Sequence, residues 1–485
     1  MSKAIEGLKP EPVWKYFAEI AKIPRGSKNE AAVARYVLDT AKRLGLKAKQ
    51  DDYGNVVVRK SAAPGREQVS SLALQGHLDM VCEKNSHKVH DFSKDPIEMV
   101  RKDNVLMANG TTLGADNGIA VATNLAIMES AELEHGPLEL LFTVDEETGL
   151  NGAANLKPDF LASRTLINLD SEEEGELFVG CAGGRNTTGT WPLNVEKAPS
   201  KSTAMALTVK GLRGGHSGLE IDKGRGNAIK IINRVLIALD ELGARLSALN
   251  GGNKSNAIPR EAEALLYMPK KKAGDAQVVA AKFNETIRAE LSTVEPDLVI
   301  SLKECAENKK GRVVTPSQQR RICQSLSAMP HGVIKLSADI SWLVETSTNL
   351  AVIQTGKKEI VLTTSQRSSV ASEMDEICQT VRSVLDLGKA HVGQAEGYPG
   401  WKPNLNSPIL KVALETYQSL FGKAPEVKAV HAGLECGIIG EKFPGMDMVS
   451  FGPTLKGVHS PDECIYIDSV DRFWNFLLGI LRTFR

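Results

Sequence analysis

The residues of this 485-residue chain best suited to chemistry are short clusters of histidine and carboxylate placed where strand candidates end. The stretch 71–75 runs into Gly76-His77-Leu78-Asp79-Met80, and the loop Gly114-Ala115-Asp116-Asn117-Gly118 opens a helix candidate. The run 138–144 ends in Asp145-Glu146-Glu147, and 165–169 ends in Asp170-Ser171-Glu172-Glu173-Glu174. In open α/β sheets, sites form in the crevice beyond the carboxyl ends of the strands. Carboxylates gathered there repel one another unless a cation neutralises them, so a divalent metal site is the economical reading. Taken singly, each piece has an ordinary alternative. His77 suits a hydrogen-bonded structural histidine, Asp116 a helix cap, and the glutamate runs a solvated rim.

The elements that must position these groups alternate in type over the first 185 residues. Helical spacing covers 11–22, and Val33, Tyr36, Val37, Ala41 and Leu44 recur on one helical face after a capping-box pattern of Ser27 and Glu30. Strand patterns cover 55–59 and 71–75, and 116–130 reads as a helix. The runs 138–144 and 165–169 are short and nearly all apolar, as strands buried on both faces are. This alternation is that of an α/β domain. A second unit begins near residue 185. It has strand candidates at 204–209, 263–268, 298–302, 350–354 and 360–364, a glycine-rich loop at 211–218, and helices at 227–242 and 372–385. A Gly/Pro/Asn-rich stretch at 393–408 reads as a return linker, followed by a helix at 408–421, strands near 427–430 and 446–451, and a last helix at 469–482.

Composition narrows the function classes. Lys plus Arg and Asp plus Glu both number 59, a formal net charge of zero, which disfavours a general nucleic-acid or membrane-surface binder. Seven cysteines with no C-x-x-C predict neither a disulfide framework nor a zinc ribbon, and favour a reducing compartment. Cys82, Cys181, Cys436 and Cys464 lie near the motif segments but read as small buried hydrophobes. The first 15 residues lack a signal-peptide core, and no apolar run approaches the about 18 residues that span a bilayer. Length allows two or three domains at about 150 residues each. The expectation is a soluble cytoplasmic enzyme. Nucleotide-binding, serine-hydrolase and H-E-x-x-H signatures are all missing.

In chain order the segments G-H-L-D-M, T-T-L-G-A-D-N-G, E-E-T-G, L-D-S-E-E-E-G, C-A-G-G, G-G-H-S-G, N-A-I-P-R-E, H-A-G-L-E-C-G and G-P-T-x-x-G-x-H-S-P-D-E resemble those of the aminoacyl-histidine (Xaa-His) dipeptidases, or peptidase D. These belong to a larger zinc metallopeptidase family that includes aminoacylases and glutamate carboxypeptidases. The resemblance spans about residues 14–474. It implies two Zn²⁺ per chain, with Mn²⁺ or Co²⁺ as possible substitutes. His77, Asp116 and Asp170 would hold one ion and Asp116, Glu147 and His459 the other, with Asp116 bridging. It further implies attack by a metal-bridging water with Glu146 as general base and Asp79 orienting His77. Such pairs, about 3.5–4 Å apart, clamp both oxygens of a transition state.

His459 lies far beyond Asp170 yet belongs to the same implied site. The expected architecture is therefore α/β, with a discontinuous catalytic domain (1–185 and 396–485) built on a mostly parallel mixed sheet flanked by helices, interrupted by an inserted α/β lid domain (186–395). The resemblance makes His216 of the lid an oxyanion donor, and Asn256 a partner in the same pocket. It also makes Arg367 a grip on the substrate carboxylate. His431 and Glu435 would line the pocket, with the acid paired to a free α-amine. The implied activity is hydrolysis of unblocked dipeptides, Xaa-His and carnosine-like ones among them, by a homodimer whose only partner is a small peptide. The alternatives are a related amidohydrolase acting on N-acyl amino acids or C-terminal residues, and an inactive metal-stabilised binding protein.

Overall fold

The computed structural model describes residues 3–305 and 311–485. The chain divides into two compact units. One comprises Met1–Cys181, Trp401–Ala429 and Leu434–Arg485, and the other Ala182–Gly400 and Val430–Gly433.

The first unit is organised by an eight-stranded mixed sheet. Its centre is parallel. Leu72–His77 lies between Leu138–Thr143 and Thr165–Asn168, and Asp447–Ser450 runs parallel to the last of these. Every residue of Leu72–His77 and Leu138–Thr143 is buried, which is why the second of these reads as a nearly all-apolar run rather than an alternating one. Antiparallel strands flank this centre, Val56–Lys60 with Lys47–Gln50 at one end and Glu176–Cys181 at the other, and Glu426–Val430 beside Glu176–Cys181 completes the sheet. Because the central strands are parallel and in register, their carboxyl ends fall on one edge: His77 is opposite Thr143, and Gln75 opposite Asn168.

The helix Ala115–Glu129 is apolar almost all round and buried accordingly. It approaches the Leu72–His77 strand closely because residue 76 is glycine. A Cβ there would stand 2.5 Å from Asn117 Oδ1 and 2.6 Å from Ala120 Cβ. A four-stranded sheet joins Met99–Lys102 and Val105–Ala108 to Cys464–Tyr466 and Leu455–Lys456, which fastens the C-terminal segment carrying His459 beside the early chain.

The second unit is a nine-stranded sheet whose pairings are antiparallel, from Val299–Glu304 and Ser202–Lys210 at one side to Gly183–Pro192 and His391–Gln394 at the other. The helices Ala228–Asp240, Ala273–Glu290, Pro316–Ala328 and Ala371–Leu387 contribute residues to one apolar core with these strands. Asn227 caps the first of them, accepting from the Ile229 and Lys230 amides. The strands Val344–Thr355 and Glu359–Ser368 extend well beyond the cores expected at 350–354 and 360–364. Their outer halves are rich in Ser, Thr and Gln whose hydroxyls and amides bond to one another, so burial there carries no apolar signal.

Three expectations need correction. The linker at 393–408 begins inside a strand, His391–Gln394. Ser27 and Glu30 form no capping box. Ser27 donates to Asp79 Oδ2 (2.8 Å), and Glu30 accepts from the Asp145 amide (2.9 Å), so both serve tertiary partners. Cys82 is exposed and Cys464 half-buried, whereas Cys181 and Cys436 are buried as expected. All seven cysteines are free. Among the described residues, no helix is long and apolar enough to cross a membrane.

Candidate metal centre and a separate imidazole cluster

In the first unit the strand ends bring His77, Asp116, Glu146, Glu147, Asp170 and His459 together. The two oxygens of Asp116 are divided between two histidines. Oδ1 lies 3.1 Å from His77 Nε2 and Oδ2 3.1 Å from His459 Nε2. Asp170 Oδ1 is 3.5 Å from His77 Nε2, and Glu147 Oε2 is 3.0 Å from His459 Nε2. His77–Asp116–Asp170 and Asp116–Glu147–His459 each have ligand atoms within 4.8 Å of one another. The two triplets share Asp116. Glu147 Oε1 is buried with no hydrogen-bond partner among the described residues. Such an atom costs free energy unless something outside the polypeptide satisfies it. Imidazole nitrogens and carboxylate oxygens in triplets suit a divalent transition metal, so the residues fit a two-metal group.

Asp79 stands behind His77, with Oδ1 3.3 Å from Nδ1. It also accepts from the Glu146 and Glu147 amides (3.0 and 3.1 Å) and from Ser27. One carboxylate thus lies beside the His77 ring and holds the backbone that carries Glu146 and Glu147. Burial by itself would raise the Asp79 carboxyl. The His77 ring, the Glu146 amide and the Ser27 hydroxyl outweigh it and hold the group at about 2.

Glu146 and Asp170 behave oppositely. Burial, then the charges of Asp170, Glu435 and Glu147, push Glu146 well above the usual carboxylate range, against the pull of His77. Asp170 is pushed up to about 6 by burial and by Asp116 and Glu147. Bound cations act in the opposite sense.

The acidic run after Asp170 resolves into parts. Glu173 pairs with Lys456, and Glu174 forms a forked pair with Arg472 (2.5 and 2.6 Å), as a surface rim does. Glu172 instead faces the centre. Burial and the neighbouring Asp116 and Asp170 push it to about 7. In the sequence alone the three glutamates are equivalent.

The segment His431-Ala432-Gly433-Leu434-Glu435 is divided between the units. Glu435 is fully buried in the first. Its Oε2 accepts from Gln75 Nε2 (2.5 Å) and Thr143 Oγ1 (2.8 Å), while Oε1 has no partner among the described residues. Burial raises it to about 7. His431 belongs to the second unit, where its Nε2 meets Ser347 Oγ at 2.7 Å.

The second unit carries its own cluster. His216 pairs by its backbone with Ala257, beside Asn256, whose carbonyl accepts from the Ser217 amide at 2.8 Å. The Gly218 and Leu219 amides donate to His216 Nδ1 (3.2 and 3.1 Å). An acceptor at Nδ1 places the ring proton on Nε2, so His216 is a neutral imidazole presenting an N–H donor. Burial, then the Arg367 charge, lowers its pKa and keeps it neutral. Arg367, only 6% exposed, donates to Tyr398 Oη (3.0 Å) and Ser217 Oγ (3.4 Å). Tyr398 and Ser217 were not foreseen, since a tyrosine and a serine at those spacings carry no signal of their own. A cavity of about 860 Å³ opens beside His216 and Asn256 and is lined also by Arg213 and Arg260.

An α/β unit whose parallel strand ends gather paired histidine and carboxylate triplets, interrupted by a second α/β unit, defines a metal-dependent hydrolase architecture with catalytic and lid domains. The chain belongs to peptidase family M20/M25/M40, whose model matches residues 73–483. It is 42% identical over 476 residues to the cytosol non-specific dipeptidase of Escherichia coli (strain K12), covering 98% of both chains. Its structure superposes on an aminoacylhistidine dipeptidase from Vibrio alginolyticus with a TM-score of 0.92 at 40% identity, covering 99% of this chain and 98% of that one. A Staphylococcus aureus tripeptidase shares the fold, with a TM-score of 0.57 at 17% identity over 98% of each chain.

Proposed function

We propose that the chain is a two-metal dipeptidase that hydrolyses unblocked dipeptides, Xaa-His among them. The observation that carries this is Asp116, whose two oxygens face two histidines in two ligand triplets, with Glu146 adjoining Glu147. The dipeptidase names of the relatives at 42% and 40% identity support the substrate class. His77, Asp116 and Asp170 would hold one ion, and Asp116, Glu147 and His459 the other. Zn²⁺ is the proposed metal, with Mn²⁺ or Co²⁺ as substitutes. When bound, such ions polarise the scissile carbonyl and acidify water.

The chain's own residues do the rest. Glu146 takes the proton of the attacking water and delivers it to the leaving amine, a task that its raised proton affinity suits. Asp79 fixes the His77 ring so that Nε2 is the ligating nitrogen. His216 offers its Nε2–H to the developing oxyanion, and its neutrality lets it donate without gaining a proton. Arg367 is proposed to grip the free carboxylate, with Asn256 a partner of His216 and His431 lining the pocket. Glu435 is proposed to act on the α-amine side. The unit that carries His216 and Arg367 is proposed to be the lid.

Hydrolysis of a dipeptide panel with metal analysis, on wild type and Glu146→Gln, tests this reading. The variant is expected to keep both metals and lose turnover. Wild-type turnover in it would remove Glu146 as the base. Comparing Ala-His with N-acetyl-His separates a dipeptidase from an N-acyl amidohydrolase. A homodimer in the cytoplasm is proposed from the resemblance alone, and sedimentation and fractionation test the two points.

A further inference from the structure

Two buried charged side chains outside the ligand set, Arg25 and Glu463, hold the turn that presents Asp116. We propose that they are a pair of positioning residues that set the metal ligands in place before any ion arrives. Glu463 is 2% exposed, and both its oxygens are consumed by one stretch of backbone. The Leu113 and Gly114 amides donate to Oε2 (2.7 and 2.9 Å), and the Ala115 and Asp116 amides to Oε1 (2.7 and 3.1 Å). Four consecutive N–H groups at the start of a buried helix thus converge on a single carboxylate. Charge-assisted bonds of this kind are the strong ones.

Glu463 also closes the turn that carries His459. Its own amide bonds to the Ser460 carbonyl at 3.1 Å, and Ser460 Oγ donates to the Gly457 carbonyl at 2.7 Å. The two ligands that are furthest apart in sequence among the Asp116–Glu147–His459 triplet are therefore bolted together by a residue that ligates nothing.

Arg25 works on the other side of the same turn. It is 3% exposed. Nη1 donates to the Leu78 and Asp79 carbonyls (2.9 and 3.0 Å), directly after His77, and Nη2 donates to the Gly114 carbonyl. The glycines of Gly114-Ala115-Asp116-Asn117-Gly118 make room for it. A Cβ at 114 or 118 would stand 2.6 or 2.5 Å from Arg25 Nη2. The turn 113–116 thus sits between a guanidinium that takes the Gly114 carbonyl and a carboxylate that takes all four amides. The segments carrying His77, Asp116 and His459 become one rigid seat. A lone buried charge of either sign would be costly, and the opposed pair offsets part of that cost while every bond goes to backbone.

This inference rests on the reading of Asp116 and His459 as metal ligands. Its test therefore measures Zn²⁺ affinity by chelator competition and hydrogen exchange of amides 113–116, on the full chain. In wild type those amides are expected to be protected equally with and without Zn²⁺. Glu463→Gln puts an amide NH₂ where two N–H donors point. It is expected to stay folded by circular dichroism and to bind Zn²⁺ about 10–100-fold more weakly at the Asp116-bearing centre. Its activity should recover as Zn²⁺ is raised, which a purely structural defect would not allow. Arg25→Lys, unable to fork to three carbonyls, should shift in the same direction. An unchanged Zn²⁺ affinity in folded Glu463→Gln overturns the proposal and leaves the dipeptidase reading intact. Fast exchange of amides 113–116 in metal-free wild type overturns it equally, and decides the matter if the variant does not fold. A wild type that binds no Zn²⁺ overturns both.

Discussion

His77 and His459 of the first unit lie among carboxylates, while His216 and His431 of the second lie beside the guanidinium of Arg367 and backbone or hydroxyl partners. The same side chain is pushed in opposite directions. Hydrogen bonds to Asp116 and Glu147 raise His459 to about 11. Burial, then Arg367, lowers His431 to about 3. One region concentrates negative charge and suits cations. The other keeps its imidazoles neutral and suits anionic groups, such as a carboxylate or a developing oxyanion. A peptide hydrolase needs both.

The comparison can be broken most sharply by removing the cations. Exhaustive chelation should abolish activity and return of Zn²⁺ should restore it, whereas substantial activity at full metal removal defeats the metal assignment of the first unit. Next in size, Glu146→Gln should lower kcat by about 10²–10⁴-fold with metal content unchanged, read by steady-state kinetics and metal analysis. On the other side, His216→Ala should lower kcat by about 10²–10³-fold with normal Zn²⁺ affinity. If it lowered Zn²⁺ affinity instead, the functional division between the regions would be wrong.

Arg367→Met should raise KM by about 10-fold or more for substrates with a free carboxylate, and much less for their C-terminal amides. Equal effects on the two would remove the carboxylate grip.

The smallest effect concerns pH. His331 in the second unit accepts from the Leu350 amide (3.3 Å), and burial lowers it to about 4. Its pKa is depressed in the folded state, so the unfolded chain binds the extra proton. Stability from this ring is complete above about 6.5 and is lost as pH falls toward 4. Thermal or denaturant melts should show a loss of about 1 kcal/mol from this ring between pH 7 and 5.5, absent in His331→Gln. A wild type and variant with parallel pH profiles would remove the contribution.

Legibility in the sequence followed physical kind. The strands leading to Glu146 and Asp170 are legible because strands covered on both faces are nearly continuous apolar runs, and functional groups just beyond them stand out. The outer halves of Val344–Thr355 and Glu359–Ser368 are not, because hydroxyl and amide side chains bury themselves there by bonding to each other. Ser27 and Glu30 were misread because one local pattern serves a helix cap or a distant partner equally well. Only the positions of Asp79 and Asp145 distinguish the two. Arg25 carries no signal in the sequence, and Glu463 only closes the motif G-P-T-x-x-G-x-H-S-P-D-E with no role attached, since their partners are peptide groups, which every residue has.

By itself the sequence determined the inventory: which histidines and acids exist, which strand ends they follow, and, through the ordered motifs, which family they belong to. The tertiary structure decided what each group is. It split the acidic run into a paired rim and Glu172. It sent His431 and Glu435 to different units, and it placed the His216 proton on Nε2. Charge state and tautomer depend on burial and on neighbours brought from distant parts of the chain. A residue's identity specifies what it can bind or release, and its surroundings specify which of these it does.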